Sequence, residues 1–360
     1  MTIYKARFIL KMNVFILIMS CFVLFIFNLL WMKKTRPKMP SMIYIIRKNM
    51  NVLPLYIVGL WGFIFMGGYF ETKLVETPYM RPTFVMAFTR TCSFVFTGIV
   101  LKYKFLRPMH PGPFSIPAIM NILATGTQLE ALEYVSFPEF GAAKALRLIF
   151  VGLYDSKSLL EKILWSIASL IGASFIFWYD FDHAKWIYPG HMGIMWLTVF
   201  VICDSLTSIS QQEIYKKFKV PSIQMMFYIN FWMLIIILPQ IFIEEKLLEH
   251  TFTALMNSGW FIFDLIMLTI SSAAAQFFAL CLIREFGALT FTVSCLMKSL
   301  LSISIIKYVN DGYWNWFEIL ELIIIFVIIC YVLMIRKPWK KRNKVPSALT
   351  IDLMPLISED

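Results

Sequence analysis

Long apolar runs recur from residue 12 to residue 335 with only short polar stretches between them, and they leave this chain few ways to fold. A bilayer core of about 30 Å is crossed by about 20 apolar residues of α-helix, and hydrocarbon tolerates no unpaired backbone groups, so such runs become membrane-spanning helices. The first run, 12–32, ends at Lys33, Lys34, Arg36 and Lys38. A secretory signal is the rival reading, but the run exceeds the usual apolar region and no small-residue cleavage site follows. An extra leading span with a basic flank is therefore expected over 1–38, and a basic cytosolic linker over 39–52. Ten further spans are expected at 53–70, 82–103, 113–134, 138–154, 160–179, 191–210, 223–243, 258–283, 287–307 and 317–335. The expected fold is thus an all-α polytopic membrane protein, with halves at 53–179 and 191–335 and a basic cytosolic tail at 336–360.

Composition supports this class: 59% of residues are hydrophobic and only 15% charged, against about a quarter charged in soluble domains. The formal charge of +11 collects in loops, where it serves orientation, so no nucleic-acid partner is expected. With the tail cytosolic, alternate loops hold 21 Lys and Arg on the cytosolic side and 8 on the other. That asymmetry is what the positive-inside rule requires, and it puts the N-terminus on the opposite, lumenal side. Cys21, Cys92, Cys203, Cys281, Cys295 and Cys330 lie in apolar segments without paired spacing, and read as small hydrophobes. His110, His183, His191 and His250 fall at segment ends or in loops. No metal, soluble cofactor or imidazole-based catalysis is expected in the membrane interior.

One stretch breaks the apolar rule. Ser136 to Tyr154 reads as an apolar helix whose middle carries Lys144 and Arg147, three residues apart and so on one face, with Gly141, Val151 and Tyr154 continuing the stripe. A cation facing hydrocarbon costs about 2.5–3.5 kcal/mol on insertion scales, so two on one helix need an anionic partner or a watery cavity. The alternatives are a substrate path and a structural ion pair. An offset of 154 residues superposes Phe137, Lys144, Leu146, Ile149 and Tyr154 on Phe291, Lys298, Leu300, Ile303 and Tyr308. Both segments read F-x6-K-x-L-x2-I-x4-Y, and each supplies the fourth helix of a five-helix half. Two odd-numbered halves have opposite topology, so an inverted repeat is expected, with Lys144, Arg147 and Lys298 facing one another near the midplane.

Arg90 brings the intramembrane cations to four, against Asp204 and Asp264 as mid-span anions. A net-positive cavity selects a polyanion, and arginine geometry favours phosphate or sulfate oxygens over a single carboxylate. Asn121, Thr125, Gln128, Ser205, Asn230, Gln276 and Ser294 are candidates for reading the rest of such a ligand, the alternative for each being a helix–helix hydrogen bond. Tyr154, Tyr134 and Tyr228 are candidate platforms for a base, or core packing.

Several of these residues sit in a familiar pattern. Gln128-Leu-Glu130-Ala-Leu-Glu-Tyr134-Val-Ser-Phe-Pro138, Ala143-Lys144-Ala-Leu-Arg147, Asp204-Ser-Leu-Thr-Ser, Gln224-Met-Met-Phe-Tyr-Ile-Asn230 and Phe286-Gly-Ala-Leu-Thr-Phe291 occur in that order. Across most of 53–336 the chain resembles the nucleotide-sulfate and nucleotide-sugar transporters of the drug/metabolite transporter superfamily. The resemblance is nearest to the Golgi carriers of 3′-phosphoadenosine 5′-phosphosulfate (PAPS), a branch with an extra leading span. It implies antiport of PAPS into the Golgi lumen, where it supplies sulfation, against a spent nucleotide monophosphate or bisphosphate. No catalytic residue and no cofactor are implied. It also implies cargo-binding roles for Lys144 and Arg147, where the pattern has lysines, and for Lys298, where it has an arginine. Leu129 departs from a tyrosine of the pattern. PAPS carries nearly four negative charges and a UDP-sugar about two, so four cations suit the former. The alternatives kept open are a UDP-sugar transporter, a membrane-embedded transferase, which the absence of an HExxH-like loop cluster disfavours, and a non-transporting scaffold. Residence in the endoplasmic reticulum and assembly as a homo-oligomer also stay open.

Overall fold

The computed structural model describes residues 41–75, 82–103, 110–135, 137–156, 158–181, 191–218, 220–243 and 260–311, and a few positions between 319 and 327. The leading span expected at 12–32, most of the last span at 317–335 and the basic tail lie outside the described residues. Among the described residues every regular element is helical: α1 (Ser41–Val75), α2 (Pro82–Tyr103), a short 3-10 turn (Gly112–Phe114), α3 (Ser115–Tyr134), α4 (Phe137–Asp155), α5 (Leu159–Phe181), α6 (His191–Phe218), α7 (Ser222–Ile243), α8 (Phe261–Phe286) and α9 (Ala288–Asp311).

The stretches Phe84–Lys102, Leu159–Ile176, Met192–Phe218, Ser222–Pro239 and Phe261–Phe286 are long and apolar enough to cross a membrane, and Leu55–Glu71 and Ala288–Ser302 are shorter apolar helices. α3 and α4 do not join that set; α4 carries Glu139, Lys144 and Arg147 within its length. α1 begins at Ser41, inside the stretch read as a linker, and runs unbroken into the first body span. No glycine or proline occurs between Ser41 and Leu53, so nothing in the local chemistry stops a helix there.

The chain forms two compact units, residues 1–85 with 246–279 and residues 86–245 with 280–360. In the first, α1 packs on the N-terminal part of α8. The Phe278 ring stacks on Phe63 at 5.7 Å between centroids, and a Cβ at Gly59 would lie 2.8 Å from that ring. Glycine here lets the two helices meet, as small residues do at membrane helix crossings. Lys73, in the last turn of α1, reaches Asp264 at 3.8 Å. Asp264 lies in the first turn of α8, not at mid-span as read from the sequence, and meets the positive end of the helix dipole.

In the second unit α4 packs against α5, α6 and α9, while α3 packs against α6 and α7. Ala142, Ala145, Leu148 and Val151 of α4 form one buried cluster with Trp165, Ala168 and Ile176 of α5 and Leu289, Val293, Leu296 and Leu300 of α9. Phe140 and Ala143 join a second cluster with Ala124 and Ala131 of α3 and Phe200, Val201 and Cys203 of α6. Small side chains on two sides of α4 bring its neighbours close. Ser169 Oγ of α5 donates to the Ala145 carbonyl at 2.8 Å, a buried interhelical bond. Outward, Leu160, Ile163, Ile167 and Leu170 of α5 are exposed at helical spacing, a face suited to lipid.

α4 and α5 approach closely at Gly152, where a Cβ would stand 2.8 Å from the Trp165 Cβ. Gly152→Val is expected to destabilise the solubilised protein by about 1–3 kcal/mol through overpacking. The melting midpoint of purified protein checks this. An unchanged midpoint would show that α4 and α5 do not meet there.

Candidate functional site

Lys144 and Arg147 lie one turn apart in the middle of α4, and their surroundings come from three helices. Arg147, only 8% exposed, forms an ion pair through Nη1 with Asp204 of α6. Its guanidinium also lies near the Cys295 side chain of α9 and over the Phe291 ring, with Cζ 5.2 Å from the centroid. Its buried Nε has no hydrogen-bond partner among the described residues. Lys144 holds its ammonium 4.3 Å from the Phe140 ring centre and 5.9 Å from that of Phe200, within electrostatic reach of Asp204, Arg147 and Lys298. Lys144 is exposed as a residue although Ala143 and Ala145 beside it are buried. The groups about its ammonium come from α4, α6 and α9. Cation–π contact gives each cation of α4 an aromatic face on which to rest.

The two lysines matched by the internal repeat thus sit on helices that pack together. Lys298 is half-buried in α9, one turn beyond Cys295. Lys298 lies within electrostatic reach of Lys144, and Asp204 within that of Lys144 and Arg147. The ion-pair alternative accounts for Arg147 and Asp204.

A second polar bridge closes the far end of α4. Gln212 Nε2 donates to Asp155 Oδ1 at 3.0 Å, and Gln212 Oε1 accepts the Ala288 amide at 2.5 Å. Both α4–α6 bridges join residues 57 apart in sequence, so the helices run side by side in register. Eight residues separate the bridges along each helix, about 12 Å of axis. Gly287 makes the α8–α9 turn at φ 91°, which a side chain would strain, and a Cβ there would lie 3.0 Å from Gln212 Oε1. Beside this bridge the Tyr154 hydroxyl lies near Glu213, and Lys216, bonded to Glu213 at 2.5 Å, lies 5.7 Å from the Tyr154 ring centre.

The remaining predicted residues separate. Tyr154, read as a base platform, stands with Glu213 and Lys216 at the helix ends, about 10 Å along α4 from Arg147. Ser205 Oγ donates to the Val201 carbonyl at 2.6 Å within its own helix. Asn121 and Gln128 are half-buried on α3, Asn230 is fully buried on α7, and Arg90 is half-buried on α2, all in the second unit. Gln276 belongs to the part of α8 in the first unit. Sequence reasoning missed Cys295, Phe291, Phe140 and Phe200 as partners of the cations. The available signal was spacing: Phe140 is four residues before Lys144, and Cys295 three before Lys298.

Residues 52–334 match the UAA transporter family. The chain belongs to the UAA transporter family. This UAA-family chain is 25% identical over 282 residues to adenosine 3′-phospho 5′-phosphosulfate transporter 1 of Drosophila melanogaster, across 73% of its own length and 60% of that protein. It is 29% identical over 206 residues to the Homo sapiens transporter of the same description, across 55% of its own length and 47% of the other. To UDP-galactose/UDP-glucose transporter 5B of Arabidopsis thaliana it is 25% identical over 291 residues, across 75% and 84%. It therefore spans less than two thirds of the two phosphosulfate transporters and most of the UDP-sugar one. It shares its fold with a solved crystal structure at TM-score 0.56 and 12% identity, covering 79% of this chain and 96% of that one. The apolar helices and the family together make it a multi-pass membrane protein of a transporter family.

The Arg147–Asp204 pair yields a direct expectation for this UAA transporter. Removing one partner leaves a buried charge uncompensated, so Asp204→Asn should destabilise by about 3 kcal/mol, and Arg147→Gln/Asp204→Asn by less than the sum of the single changes. Thermal unfolding of the four proteins measures the coupling. Additive effects would mean that the two side chains do not interact.

Proposed function

We propose that the protein is an antiporter that carries adenosine 3′-phospho 5′-phosphosulfate from the cytosol into the Golgi lumen, in exchange for a nucleotide monophosphate or bisphosphate. The observation that carries this reading is the gathering of Lys144, Arg147 and Lys298 on packed helices, with Asp204 paired to Arg147. Positive charge at membrane depth is stable only beside water or an anion, so such a site suits an anionic cargo. A planar guanidinium with a donor to spare suits phosphate or sulfate oxygens, and Arg90 lies in the same unit.

The same electrostatics supports exchange over one-way passage. Cations without cargo oppose movement of the site across the membrane, whereas an anionic cargo lowers that cost. In the proposed cycle two inverted five-helix halves rock about the site, and cargo bound on one side is released on the other. Asn121, Gln128 and Asn230 are the side chains assigned to the rest of the nucleotide, and Ser205 joins them on releasing the Val201 carbonyl. Gln276 and Tyr154 are assigned contacts made in another state of the cycle. A second reading, a UDP-sugar transporter, has its own support in the Arabidopsis thaliana relative, 84% of which is matched at 25% identity. The phosphosulfate transporters among the relatives weigh toward the first.

Purified protein in liposomes preloaded with adenosine 3′,5′-bisphosphate is expected to take up labelled phosphosulfate saturably, and faster than unloaded liposomes. Preferential exchange of UDP-galactose would instead establish the second reading. Lys144→Ala and Lys298→Ala should each lower exchange at least about tenfold while the protein still reaches the membrane. Variants that transport at the unaltered rate would remove the lysines from the site.

A further inference from the structure

Lys144 lies within electrostatic reach of Asp204, yet the aspartate is taken by Arg147, and among the described residues no ion pair joins Lys144 to a carboxylate. What the ammonium meets instead is aromatic: the Phe140 ring centre at 4.3 Å and that of Phe200 at 5.9 Å. Sequence spacing produces this arrangement. Phe140 stands four residues before Lys144 on α4, and Phe200 four before Asp204 on α6, so each pair shares one helix face. Because α4 and α6 run in register these faces meet, and the two ring centroids come within 5.0 Å at an interplanar angle of 44°. Both rings are almost fully buried in the cluster that joins α3, α4 and α6, so packing fixes their positions. A ring face attracts a cation through its quadrupole and carries no net charge. A carboxylate in the same place would hold the ammonium in an ion pair that a phosphate had to break, and would repel that phosphate as well. The rings do neither.

We infer that Phe140 and Phe200 are positioning residues for cargo binding: their ring faces hold the Lys144 ammonium apart from Asp204 and keep it available to the phosphate or sulfate oxygens of a nucleotide. This inference rests on the proposed function and deepens it. With weaker ring faces the ammonium moves to Asp204, where it competes with Arg147 for the carboxylate. The cargo then has to displace an ion pair in order to bind, and affinity falls. Phe140, the nearer ring, contributes more than Phe200.

The test places phenylalanines with one, two or three ring fluorines at position 140 or 200 of the full-length protein. Fluorine withdraws negative charge from the ring face while the ring keeps nearly its size, so the attraction changes and the packing does not. Reconstituted protein is assayed for exchange of labelled adenosine 3′-phospho 5′-phosphosulfate against adenosine 3′,5′-bisphosphate. Half-saturation is expected to rise with each fluorine, to about tenfold for three at position 140 and less at position 200, with turnover little changed. The same series at Phe114, which is fully buried and stacked on Tyr228 at 4.8 Å, should leave half-saturation unaltered. A flat series at both positions, in protein that exchanges normally, overturns the inference alone, and so does an equal rise from Phe114. Where the trifluorinated protein does not fold, the slope from one fluorine to two decides in the same way. An unaltered protein that exchanges only UDP-galactose overturns the phosphosulfate reading, and the series is then read with that nucleotide, whose diphosphate makes the same demand on Lys144. Absence of exchange with every nucleotide overturns the functional reading and this inference with it.

Discussion

Positive charge is expensive at membrane depth, and the second unit is built around holding it there. α4 carries Lys144 and Arg147 on one face and small residues on the flanks, so that α5, α6 and α9 close in. The means are specific. Arg147 is held by Asp204, Cys295 and Phe291, and Lys144 by the rings of Phe140 and Phe200. Each contact lowers the penalty of a cation in this environment.

The same contacts tie the site to the framework. Two bridges with one sequence offset keep α4 and α6 in register from Arg147 to Asp155, and Gln212 extends the second bridge to the amide that starts α9. A movement of α9 that broke this amide bond would also act on the helix that carries Lys298, while α4 and α6 moved together. Gly287 permits the turn on which that arrangement depends. Packing, turn geometry and charge placement therefore meet at three helices.

Much of this was legible in the sequence. Lysine and arginine inside apolar runs are rare enough to announce a site, and the F-x6-K-x-L-x2-I-x4-Y pattern pointed to α4 and α9 as partners, which the packing of those helices agrees with. Hydropathy could not say which neighbour a polar atom would choose. Ser205 is occupied by its own helix and Tyr154 by Glu213, choices decided by local geometry that no pattern of apolar residues encodes. Helix limits were misread for the same reason: Asp264 sits in a first turn because α8 starts at Phe261, and α1 begins at Ser41 because a basic stretch without breakers is still a good helix. Cys295 was read as a small hydrophobe, and only the approach of α9 to α4 brings its sulfur to a guanidinium.

The central claim is that one cluster of cations receives the cargo, and a structure of the carrier in a lipid nanodisc with bound adenosine 3′-phospho 5′-phosphosulfate tests it most directly. The account predicts phosphate and sulfate oxygens within hydrogen-bonding distance of Lys144 Nζ, the Arg147 guanidinium and Lys298 Nζ, bridging α4 and α9. Cargo bound elsewhere, with these three side chains arranged as they are without it, would contradict the account.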